Sequence, residues 1–73
     1  MNYLLEALVR KLDGDIAVAK ANVDVYMKNA AGIGEHPDIV ESIETQISKI
    51  AEAEDKMNII HTHFGWNKGK KNV

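Results

Sequence analysis

Between Tyr3 and Ala31 the apolar residues return every three or four positions, with Leu5, Leu12, Ala19 and Tyr26 on one line and Val9, Ile16, Val23 and Ala30 on the next. That period predicts a helix with a single apolar seam, over residues 3–31. Glu6 with Arg10 and Asp24 with Lys28 are acid-first pairs four residues apart, which support a helix from its outer face. Gly14 is the one local objection, because glycine in a helix interior costs about 1 kcal/mol relative to alanine. It falls away from the seam. Gly32 then offers a left-handed cap with Ile33 as its apolar contact, Gly34 lets the chain reverse, and Pro37 has its φ preset for a first helical turn. His36 is the expected N-cap, and Asp38 puts a carboxylate at the positive end of the following helix. A second helix is predicted over residues 37–63, with Ile43, Ile50, Met57 and Phe64 on one line and Val40, Ile47, Glu54 and His61 on the other. So short a connection makes the two antiparallel. The fold class is therefore all-α, an antiparallel two-helix hairpin in which Val23 meets Ile47, Ala19 meets Ile50, Leu12 meets Met57 and Leu5 meets Phe64.

Seventy-three residues hold one domain, and below about 70–80 residues a single core rarely supplies more than about 3–5 kcal/mol. More burial is expected than one hairpin provides. Leu4, Leu8, Val18 and Val25 on the first helix, and Ile39, Ile59 and Ile60 on the second, are apolar residues outside the seam. The simplest use for them is a two-fold homodimer that makes an antiparallel four-helix bundle. Glu54, an acid on an otherwise apolar line, would then fix register across the dimer as a buried polar residue does in a coiled coil.

Charge divides the chain in two. Residues 1–67 carry six Lys or Arg against eleven Asp or Glu, a balance of −5, while Lys68, Lys70 and Lys71 give residues 68–73 a balance of +3. The domain organisation read from this is a helical hairpin over 1–67 and a basic, flexible tail over 68–73. An acidic body argues against a dedicated nucleic-acid binder, whose positive charge covers a face or a helix. No cysteine is present, so neither a disulfide nor a thiolate metal site braces the fold. The apolar run from Tyr3 to Val9 is broken by Glu6 and falls short of the roughly 20 apolar residues a membrane span needs. With no basic leader ahead of an apolar core, the expected location is cytoplasmic.

Candidate chemistry is sparse. Glu54 and His61 share a face, but seven residues of helix rise about 10.5 Å, too far for a direct hydrogen bond. His61 and His63 are two apart and point in nearly opposite directions. A di-iron bundle needs Glu-x-x-His, and Asn58 stands where that glutamate would be. Ser42, Thr45 and Ser48 have no adjacent base and orienter. Gly32-Ile33-Gly34 lacks the preceding strand and the Lys-Ser or Lys-Thr of a phosphate loop. The expectation is a protein that is not an enzyme and takes no cofactor and no metal. Phe64 and Trp66 close the open end of the hairpin, where aromatics either cap the core or anchor a partner, and capping is the favoured role.

Three stretches, Asn2-Tyr3-Leu4-Leu5-Glu6-Ala7-Leu8, Ile16-Ala17-Val18-Ala19-Lys20-Ala21-Asn22 and Gly32-Ile33-Gly34-Glu35-His36-Pro37-Asp38, resemble small uncharacterised helical proteins carried by tailed phages of marine cyanobacteria. The resemblance spans residues 2 to about 57 and implies a viral protein made in an infected bacterium, acting in the host cytoplasm. It brings no catalytic residues with it. The function expected is a protein-interaction module that self-associates and binds a host or phage protein through Leu4, Leu8, Val18, Val25, Ile39, Glu54, Ile60, Phe64 and Trp66. A minor structural or assembly component of a phage particle is the alternative, and nucleic-acid binding through the lysine tail comes third.

Overall fold

The computed structural model describes residues 3–30 and 36–65, and every one of these except Gly65 is helical. Helix α1 spans Tyr3–Ala30 and α2 spans His36–Phe64. The observed ends fall within a residue of those expected, a margin at which helix boundaries carry no information. The turn chemistry assigned to Gly32, Ile33 and Gly34, the tail from Lys68 onward and Trp66 lie outside the described residues. At the other end of α2 the stop is visible. Gly65 adopts φ +81°, the left-handed geometry that follows a helix terminus and that glycine takes without penalty.

The outer faces are laced by ion pairs one helical turn apart. Arg10 Nη2 donates to Glu6 Oε2 at 2.8 Å, Lys11 Nζ lies 2.9 Å from Asp15 Oδ2, and Lys28 Nζ lies 3.0 Å from Asp24 Oδ2. A looser pair joins Lys56 to Glu52 at 3.4 Å. All are exposed, so each contributes a few tenths of a kcal/mol and none decides the fold. Gly14 is on this outer side as expected. A Cβ built there meets nothing within 4 Å.

The core runs between the helices. Val9, Leu12, Ala53, Met57 and Ile60 form its buried cluster, with Leu5 and Ile16 packed against it and Ala19 also buried. Along α1 the seam is the one read from the sequence, since Leu5, Val9, Leu12, Ile16, Ala19, Val23 and Tyr26 are all buried or half-buried. Along α2 only half of it is. Ile43, Ile50 and Met57 face α1, but the second inward line is Ile39, Gln46, Ala53 and Ile60, one position earlier than expected. Val40, Ile47, Glu54 and His61 form a real heptad stripe that is rotated out to the flank, where all four are exposed. The physical reason is the content of the two lines. Turning Val40 and Ile47 inward would also bury the Glu54 carboxylate, which costs several kcal/mol when unpaired. The line that does turn inward carries a neutral amide and an alanine.

The oxygen of that amide has a partner. Gln46 is 7% exposed, and its Oε1 accepts a hydrogen bond from Asn22 Nδ2 at 3.1 Å, across the helix interface. The bond ties positions 22 and 46 together in the same register that brings Leu12 and Met57 into one cluster, with paired residue numbers adding to 68 or 69. The polar residue inside this structure is therefore Gln46 and not Glu54. Val23 and Ile47 still border one groove, but at the flank, where Ile47 is exposed.

Candidate interaction surface

Two helices lying side by side leave a groove along each of their two flanks, and the sequence makes these grooves different. On one flank the floor is Leu12, Ala19 and Ala53. The two alanines have only a methyl group each to fill the space, and the groove measures about 350 Å³. The amides of Asn22 and Gln46 form its wall, and Asp15, Lys49, Glu52 and Lys56 its rim. With mixed charge around a small floor, this flank is well solvated. Among the described residues no cluster of three or more His, Asp or Glu side chains could hold a metal ion.

The opposite flank, toward the turn, is apolar. Val23, Met27, Ile47 and Ile50 line a groove of about 300 Å³, bordered by Lys20 and Asp24. Successive positions on a helix are about 100° apart, so residues 20, 24 and 27 lie on the other side of the α1 seam from 15, 18 and 22. Val40 stands one heptad before Ile47 and extends the strip toward the turn. Met27, Val40 and Ile47 are each more than half exposed. The strip ends at Glu54, one heptad beyond Ile47 on the same line.

The structure distributes the residues singled out in the sequence over several places. Ile60, expected on the surface, is 4% exposed and belongs to the hairpin's own core, so no partner reaches it. Ile39 is half-buried on the same inward line. Leu4, Leu8 and Val18 are exposed on the flank that carries the charged groove, and Val25 is exposed on the back of α1. Glu54 is exposed on the flank of the hairpin, outside its core. Phe64 is exposed too, with its ring edge-on to His63 at a centroid distance of 6.4 Å. At 61% exposed it does not cap the core of the hairpin. Tyr3 and Leu4, expected at the same end, are strongly exposed as well. Met27, Val40 and Ile47 were not among the expected surface residues. For Val40 and Ile47 the signal is the heptad line 40, 47, 54, 61, which periodicity alone reads as facing inward.

Of the hydroxyls, Thr45 Oγ1 donates to the Glu41 carbonyl oxygen at 3.1 Å, a bond within the helix. Ser42 is half-buried and Ser48 exposed. Among the described residues no helix is long and apolar enough to cross a membrane. No family model, no curated protein and no solved structure matches this chain.

Proposed function

We propose that this protein is a non-enzymatic interaction module whose first partner is another copy of itself. The observation that carries the reading is an imbalance of apolar surface. Among the described residues, six hydrophobic side chains are buried and two of them are alanines, while ten large ones, from Tyr3 to Phe64, stand exposed. Scattered exposed aliphatics are ordinary on soluble proteins. Here they outnumber the fully buried side chains, on a chain with no disulfide to stabilise it. Association that buries part of this surface adds the burial that the hairpin by itself lacks. Neither groove resembles the enclosed, mostly apolar pocket with a few convergent polar groups that small-molecule chemistry requires. The setting we propose, on the resemblance to cyanophage proteins, is an infected bacterium, with further partners among host and phage proteins.

Light scattering combined with thermal melts over a wide concentration series tests this. The expected result is a mass above that of one chain and a melting temperature that rises with protein concentration, because association stabilises by mass action. A single-chain mass with a concentration-independent melt at every concentration would overturn the proposal.

A further inference from the structure

We infer that the apolar flank around Met27, Val40 and Ile47 is the seat of a second copy, which lies alongside the first in register with both turns at the same end. The inference rests on the self-association proposed above and names its face and geometry. Area is the first argument. The hairpin is 49 Å long and 17 Å wide, so one whole flank presents roughly 800 Å², the ~800 Å² per partner of a standard stable interface. The apolar strip covers only the turn-proximal part of that flank. An arrangement with the turns at opposite ends can either match the two strips or overlap the full length, but not both, because the strip is off centre. Side by side with the turns together, strip meets strip and the whole flank is covered.

Register gives the second argument. Within the hairpin, facing residues have numbers adding to 68 or 69. A two-fold axis parallel to the helices sets α1 of one copy against α2 of the other at those same levels. Met27 then enters the gap between the partner's Val40 and the partner's Ile47, and Ile47 enters the groove beside Val23 on the other copy.

Charge completes the case. Lys20 borders the strip on α1 and Glu54 ends it on α2, and neither makes an ion pair among the described residues. Side chains on a helix lean toward its N-terminus, so in this antiparallel α1 to α2 contact Lys20 and the partner's Glu54 lean toward each other. The opposite flank has nothing comparable. Asp15, Glu52 and Lys56 there are already paired within their own helices, and Lys49 is left with no unpaired acid on its groove.

The test uses the full chain. Ile47→Lys changes an exposed residue and leaves the hairpin core untouched, and it should weaken self-association by about 100-fold or more, because each dimer loses two buried isoleucines. Val18→Lys on the charged flank should leave association unchanged. Since the chain has no cysteine, Tyr3→Cys gives a single site for a spin label at the open end. With the turns together, the two labels should lie within about 30 Å, given helices packed 8–10 Å apart. Turns at opposite ends would put them roughly 40 Å apart or more at 1.5 Å of rise per residue. A dimer that survives Ile47→Lys but is lost with Val18→Lys, or that shows the long distance, overturns this geometry while self-association stands. A chain that never associates overturns both.

Discussion

Replacing Gln46 by leucine tests what the buried amide pair contributes. In the structure Gln46 is 7% exposed and accepts one hydrogen bond, at 3.1 Å, from Asn22. A neutral side-chain hydrogen bond contributes about 0.5–1.5 kcal/mol net, and Gln46→Leu removes it. The donor left behind is not stranded, because Asn22 is half-buried and lines the open groove, where water replaces the lost acceptor. On the other side of the comparison, leucine avoids the amide's desolvation, worth about 1–3 kcal/mol on mutational scales. It also places an apolar side chain between Ala53 and the α1 seam, worth about 1.5–3 kcal/mol. These two gains overlap, and the larger taken alone still exceeds the loss, so Gln46→Leu should stabilise the protein by about 1 kcal/mol. Urea denaturation followed by helical circular dichroism, at one fixed protein concentration, reads this directly. What the variant should lose is uniqueness of register, since Leu can slide along the seam where the amide pair cannot. Extra amide resonances in a ¹H–¹⁵N correlation spectrum would report that. Destabilisation by more than about 1 kcal/mol would refute the reasoning and show that the hydrogen bond outweighs the packing.

Three further outcomes are expected. Gly14→Ala should raise stability by about 1 kcal/mol, because a methyl group there meets open space and alanine is the better helix former; a thermal melt that does not move, or moves down, would contradict the open site. Ile60→Ala should cost about 2–5 kcal/mol, as deletion of a buried aliphatic does, whereas Ile59→Ala, at a residue 47% exposed, should cost less than about 1 kcal/mol; equal effects in denaturation would mean that α2 is rotated differently about its axis. Added salt should change the melting temperature only slightly, because the intrahelical ion pairs are exposed and each contributes little; a drop of many degrees in moderate salt would contradict that.

Ile59 and Ile60 show where the reading of the sequence stops. They are identical side chains at adjacent positions, both set aside from the seam, yet one packs in the core and the other meets solvent. Periodicity was enough for α1, where the two apolar lines are unambiguous and Glu6, Asp13, Asp15 and Asp24 lie off both. For α2 it left two choices. The line Ile43, Ile50, Met57 has an apolar neighbour line on each side, and each contains a polar interruption: Gln46 in one, Glu54 in the other. Counting apolar residues does not separate them.

The sequence by itself determined two helices, the place of the turn between them, the antiparallel register and the buried face of α1, because these follow from a repeat of three to four residues and from glycine and proline chemistry local to the chain. Only the tertiary structure decided how α2 is turned about its own axis, and with it which surfaces remain open. That choice is made by cost across the interface. An amide that finds Asn22 on the facing helix can be buried, small alanines at 19 and 53 are buried beside it, and a carboxylate at 54 with no partner on α1 stays in water. The same rotation brings Ile60 into the core and leaves Val40 and Ile47 outside, beside Met27.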